Sequence, residues 1–145
     1  MAIQHIAVIG AGQMGNGIAQ VAACAGFDVT MIDIKQEYLD NGMATIEYSL
    51  GKLVSKERMS QDEANSALAR VCTATEIAAA ADADLVVEAI PEILALKHST
   101  FSELDAICKP ETILATNTSS ISIDAIAEVT GRTDRVIGMH FMNPV

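Results

Sequence analysis

The chain has 145 residues, the length of one domain, and half of them are hydrophobic. Aromatic residues make up only 3% and Trp is absent, so a core must be built from Ala, Ile, Leu, Val and Met, a composition that suits helices laid on a parallel sheet. A formal charge of −10 argues against nucleic acid or an anionic membrane surface as partner, and no apolar run approaches the ~20 residues of a membrane span.

The first apolar run, residues 5–9, begins too close to Met1 to follow a signal peptide or an Arg-rich transit segment, which points to a cytoplasmic protein. It leads into Gly10-Ala11-Gly12-Gln13-Met14-Gly15 and a helical pattern whose stripe is Met14, Ile18, Val21, Ala22 and Ala25, ended by Gly26 as C-cap. A second run, residues 29–32, is closed by Asp33, eighteen positions after Gly15. Strand, glycine turn, helix, strand and acid in that order form a dinucleotide fingerprint. Gly10 permits the tight turn, Gly12 lets the backbone approach a pyrophosphate, and Gly15 lets the helix lie close on the strand. The helix N-terminus offers N–H groups and a positive dipole end to the phosphates. Asp33 can accept from both hydroxyls of an adenosine ribose and repels a 2′-phosphate, so the expected cofactor is NAD rather than NADP.

A long helix is expected over 37–54, burying Leu39, Met43, Ile46, Leu50 and Leu53. Ser49, Lys52 and Lys56 fall on its other side, either as a solvated face or as a place for an external phosphate. Ser60 and Glu63 read as a capping box for a short helix carrying Ala64, Ala67 and Leu68, before a weaker strand at 71–73. A strand at 85–87 precedes the turn after Glu88-Ala89-Ile90. Beyond Pro91 a helix should present Leu94, Phe101, Leu104 and Cys108 on one face, with Glu92 and Lys97 near its start at the surface by default.

The strand at 113–116 runs into Thr116-Asn117-Thr118-Ser119-Ser120, which either donates and accepts around a ligand or merely bonds its own backbone. Ser122 or Asp124 starts a last helix through Val129. The final strand, 136–139, ends at His140 within Met139-His140-Phe141-Met142-Asn143-Pro144. An imidazole titrates near neutrality, which suits the base for a hydroxyl whose carbon loses hydride; the alternative is a hydrogen-bonded structural histidine. Pro144 biases Asn143 toward an extended conformation. Cys24, Cys72 and Cys108, odd in number and without a C-x-x-C, read as reduced core residues, and no metal site is expected.

The alternation implies an α/β fold of the Rossmann type, a doubly wound, mostly parallel sheet with helices on both faces. Its carboxyl edge should gather the Gly10 loop, Asp33, the turn after Glu88, Asn117 and His140.

The glycine motif extended through Asn16-Gly17-Ile18-Ala19, Asp33, Val86-Val87-Glu88-Ala89-Ile90-Pro91-Glu92, Thr116-Asn117-Thr118-Ser119-Ser120 and His140-Phe141-Met142-Asn143-Pro144 together resemble the L-3-hydroxyacyl-CoA dehydrogenase family, most of all its bacterial 3-hydroxybutyryl-CoA branch. The resemblance covers the whole chain in order. It implies reversible oxidation of an L-3-hydroxyacyl-CoA to the 3-ketoacyl-CoA, with NAD as hydride acceptor. It also implies that His140 is the general base, that Ser119 contacts the reacting oxygen and the cofactor, and that Asn143 lies near nicotinamide and substrate. The glycine loop with Ala11, Gln13 and Met14, and Glu92 and Lys97, match cofactor positions, while Ser49 and Lys56 match positions holding coenzyme A.

In that family residues like 1–145 are the NAD-binding domain. A helical domain follows, supplying most of the contact of a homodimer or higher oligomer, part of the acyl pocket and a glutamate that pairs with the histidine. The expectation is that residues 1–145 alone turn over poorly, since loss of an orienting acid costs on the order of 10⁴ in the serine-protease analogue. Two other readings stand beside it: a non-catalytic NAD-binding module or subunit, and a dehydrogenase of a small free 3-hydroxyacid.

Overall fold

Strands β1 (His5–Ile9), β2 (Asp28–Ile32), β3 (Val71–Ala74), β4 (Leu85–Glu88), β5 (Ile113–Thr116) and β6 (Val136–Gly138) form one sheet in the order β3-β2-β1-β4-β5-β6. All its neighbours pair in parallel. The computed structural model describes residues 2–145. Helices α1 (Gln13–Cys24), α2 (Gln36–Ser55), α3 (Gln61–Ala69), α4 (Leu94–Ile107) and α5 (Ile123–Ala127) make the crossovers, except that from β3 to β4, which holds only a 3₁₀ turn at Ile77–Ala80. The strand at 71–74, weak by composition, is a full parallel partner of β2.

The alternation of side chains along β1 divides the core. Ile6 and Val8 face α1, α2 and α3 with Ile18, Leu39 and Ile46. Ala7 and Ile9 face α4 and α5 with Phe101, Leu104 and Ile126. Chain order reverses between β1 and β4, so the crossovers leave in opposite directions there and open a crevice at the strands' carboxyl ends.

Helix α1 ends as the glycine predicts. Gly26 takes φ +99°, its N–H donates to the Ala23 carbonyl and the Phe27 N–H to the Ala22 carbonyl, at 3.1 Å each. The Ser60 and Glu63 capping box is present at α3, and Ser122 caps α5.

Three expectations about buried faces are corrected. Val21 and Ala25 of α1 are exposed, and Ala19 and Ala23 are buried in their place, because α1 approaches the sheet closely enough to select small residues. Cys24, on α1, and Cys72, on the edge strand β3, are exposed, and only Cys108 is a core cysteine. Leu94 of α4 is 40% exposed, whereas Lys97, expected at the surface, is 1% exposed.

Arg132 supplies the end of α4. Its Nε donates to Asp105 Oδ1 at 2.7 Å, and its Nη1 and Nη2 donate to the carbonyls of Lys109, Thr112, Asp105 and Cys108. One buried guanidinium thereby gathers carbonyls from the last turn of α4 and from the turn that follows it.

Candidate functional site

Two clefts lie along the carboxyl edge and meet at Met14 and the Ala89-Ile90-Pro91 turn. The larger, about 1000 Å³, is floored by Gly10-Ala11-Gly12-Gln13-Met14 and bounded by Asp33, Tyr38, Ile77 and Leu96. Gly10 has φ +111°, and a Cβ there would stand 2.6 Å from the Ala89 carbonyl oxygen. A Cβ on Gly15 would stand 1.9 Å from the Gly10 carbonyl oxygen, so the helix can lie this close only with glycine. A Cβ on Gly12 would meet nothing within 4 Å; the space above this residue is open.

Gly12 is also the N-cap of α1 and provides no side-chain cap, leaving N–H groups of the first turn directed at the cleft. Asp33 Oδ2 accepts from the Ala11 N–H at 2.8 Å and Oδ1 from the Ile34 N–H at 2.7 Å. Each oxygen keeps a lone pair for a further donor, so the acid both fastens the glycine loop and can receive a vicinal diol. An open space over Gly12, free N–H groups and a diol-accepting acid fit a dinucleotide.

The smaller cleft, about 360 Å³, is lined by Glu88, Glu92, Lys97, Asn117, Ser119, His140 and Asn143. Beneath it Lys97 donates to Glu88 Oε2 at 2.6 Å, to Glu92 Oε1 at 3.1 Å and to the Ile90 carbonyl at 3.3 Å. Glu88 Oε1 accepts from Thr116 Oγ1 at 2.6 Å, and Glu92 Oε2 accepts from Thr118 and Ser120 hydroxyls at 2.7 and 2.8 Å. Asn117 Oδ1 receives the Phe141 N–H at 2.7 Å, and Gln13 Nε2 donates to Asn143 Oδ1 at 3.2 Å. These bonds tie the turns after β1, β4, β5 and β6 into one frame. His140 is exposed, and neither its imidazole nor the Ser119 hydroxyl has a hydrogen-bond partner among the described residues.

Burial alone would push the Glu92 carboxyl up, but the Thr118 and Ser120 hydroxyls and the Lys97 ammonium more than offset it and hold it at about 2. Between an unperturbed 4.5 and about 2 the unfolded chain binds a proton at this residue that the folded chain does not. The clamp's stability is therefore complete above that window and lost as pH falls through it. Glu92→Gln is expected to flatten the loss of thermal stability between pH 4.5 and 2 relative to the parent, read from melts across that range. Equal slopes would contradict the clamp.

Of the residues singled out from sequence, Gly10, Ala11, Gly12, Gln13, Met14 and Asp33 meet in the larger cleft, and Glu92, Lys97, Ser119, His140 and Asn143 in the smaller. Gly15 lies beneath the loop. Ser49 and Lys56 line neither cleft: Ser49 accepts from Gln20 Nε2 at 2.9 Å, and Lys56 is exposed just past α2. Sequence reasoning missed the roles of Glu88 and Thr116. The available signal was an acid closing an apolar strand at the ligand edge with a lysine nine residues on.

The 3-hydroxyacyl-CoA dehydrogenase, NAD binding domain family matches residues 5–145. A probable 3-hydroxybutyryl-CoA dehydrogenase of Deinococcus radiodurans is 56% identical over 95% of this chain and 49% of its own length. One of Bacillus subtilis is 48% identical over 100% of this chain and 50% of its own. The crystal structure of M. tuberculosis FadB2 superposes with a TM-score of 0.97 at 41% identity, over 100% of this chain and 51% of that one. The chain thus spans about half the length of the curated relatives it matches.

Proposed function

The chain belongs to the 3-hydroxyacyl-CoA dehydrogenase family as its NAD-binding domain, and from that premise we propose that residues 1–145 are the cofactor half of an enzyme interconverting an L-3-hydroxyacyl-CoA, 3-hydroxybutyryl-CoA foremost, and the 3-ketoacyl-CoA. The observation that carries the proposal is the convergence of an unpartnered imidazole, an unpartnered hydroxyl and a held carboxamide in a cleft continuous with the dinucleotide cradle. Bound NAD supplies the hydride acceptor, or in reduced form the donor.

The chain's own residues do the rest. Gly12 and the α1 N-terminus receive the pyrophosphate, and Asp33 receives the ribose. His140 Nε2 or Nδ1 takes the proton from the 3-hydroxyl as the carbon is oxidised and returns it in the reverse direction. Ser119 donates to the same oxygen, which carries growing negative charge on reduction of the ketone. Asn143, its Oδ1 held by Gln13, presents its amide N–H groups to cofactor and substrate. Glu92 and Lys97 shape the cofactor side from below.

Ser49 and Lys56 would meet the coenzyme A moiety outside the two clefts. In this proposal a helical half beyond residues like 1–145 would supply part of the acyl pocket, the acid paired with the histidine and most of the dimer contact. No helix among the described residues is long and apolar enough to cross a membrane, and we place the enzyme in the cytoplasm.

The experiment that tests the substrate class compares acetoacetyl-CoA with free acetoacetate, using residues 1–145 fused to the remaining half of the Deinococcus radiodurans relative. The CoA ester is expected to be the substrate, and Lys56→Ala to raise its KM about tenfold with kcat little changed, as loss of uniform binding does. Equal use of free acetoacetate, with KM unmoved by Lys56→Ala, would favour a dehydrogenase of small free acids.

A further inference from the structure

The loop after β5 alternates. Side chains of Thr116, Thr118 and Ser120 turn to two acids, Thr116 to the buried Glu88 and the other two to Glu92 at the surface. Those of Asn117 and Ser119 line the smaller cleft. Between the two acids stands Lys97, 1% exposed, and Glu88 is fully buried. The chain of contacts Thr116, Glu88, Lys97, Glu92, Ser120 therefore leaves the loop at one end and returns to it at the other, with Ser119 in the span.

Glu88 is the member on which this depends. It ends β4 directly opposite Thr116 in the sheet register, and it uses both oxygens, one for Thr116 and the other for Lys97 and the Ile90 N–H at 2.8 Å. Without its charge, the buried ammonium keeps the Ile90 carbonyl but has Glu92 as its one counter-charge among the described residues, and that carboxylate is drawn away from the hydroxyls of Thr118 and Ser120. We propose that Glu88 is a positioning residue for the nicotinamide half of the site: with Lys97 and Thr116 it fixes the alternation that turns Asn117 and Ser119 into the cleft. Asn117 in turn holds the backbone beside His140 through the Phe141 N–H. The proposal rests on the site reading above for which half of the cofactor lies there.

Two ligands separate positioning from plain stability. ADP-ribose occupies only the compartment of the glycine loop and Asp33, whereas NADH also needs the smaller cleft. In titration calorimetry on the 145-residue chain, Glu88→Gln is expected to weaken NADH about tenfold while ADP-ribose stays within about twofold of the parent, a split that general loosening of the fold would not produce. Thr116→Val removes one hydroxyl at nearly constant volume and is expected to give the same split at about threefold; it decides the matter should Glu88→Gln not fold. Equal losses for both ligands, or none for either, would overturn the role of Glu88. A chain that shows the split but whose fusion reduces no acetoacetyl-CoA would sink the reaction proposed above and leave Glu88's role standing.

Discussion

Replacing His140 by alanine, in residues 1–145 fused to the remaining half of the Deinococcus radiodurans relative, is expected to lower kcat by about 10²–10⁴, the usual range for a general acid–base group, and to leave NADH affinity within about twofold. The imidazole has no partner among the described residues, so its removal breaks no bond of the fold. The backbone around it is nonetheless fixed, by Asn117 on the Phe141 N–H and by Gln13 on Asn143. A side chain that is free itself but mounted on a held backbone suits the proton transfer proposed for it better than a structural role. Stopped-flow reduction of acetoacetyl-CoA would read the step directly. Unchanged kcat would remove His140 from the chemistry, and a matching loss of NADH affinity would make it a cofactor contact instead.

The second large effect separates two glycines three positions apart. Gly12→Ala is expected to weaken NADH on the order of tenfold or more, because the new methyl enters space that is open in the fold and that the proposed pyrophosphate site requires. Its stability cost should stay below about 1 kcal/mol, the difference between Gly and Ala at an N-cap, which is about 2–4 °C in Tm at this size. Gly15→Ala places its Cβ 1.9 Å from the Gly10 carbonyl oxygen, and backbone cannot rotate away as a side chain does. Overpacking of this kind costs about 1–3 kcal/mol or more and displaces the loop, so both Tm and NADH affinity should fall. Gly12→Ala that binds like the parent would mean the phosphates lie elsewhere. Gly15→Ala that melts like the parent would mean α1 can move off β1 at no cost.

What the sequence made legible was local. The glycine turn and the Ser60/Glu63 capping box act within a few turns of chain, and Asp33, though it reaches back 22 residues to Ala11, is marked by its fixed spacing after the glycines. Strands buried on both faces announce themselves as apolar β-branched runs, and the parallel order follows from the crossovers. Ile18 and Ala22 of the α1 stripe are buried as their spacing predicts, but the closeness of helix and sheet, set by Gly15 against Gly10, selects Ala19 and Ala23 over Val21 and Ala25. Lys97 was assigned to the surface because an ammonium is buried only when its counter-charge is already waiting, and Glu88 waits on a different element. Arg132 was invisible for the same reason: its carbonyl partners lie 20 to 27 residues earlier, in the last turn of α4 and the turn between α4 and β5. The role of His140 rested on placement at the ligand edge, and the structure puts it there in a cleft with Ser119 and Asn143.

The most direct measurement is NADH oxidation with acetoacetyl-CoA, by residues 1–145 alone and by the same residues fused to the relative's remaining half. The account predicts ready turnover by the fusion and a rate lower on the order of 10⁴ for the unfused residues, the cost of an imidazole without its orienting acid in the serine-protease analogue. A silent fusion that still binds NADH would contradict the proposed reaction, and equal turnover by both would contradict the division of labour between the two halves.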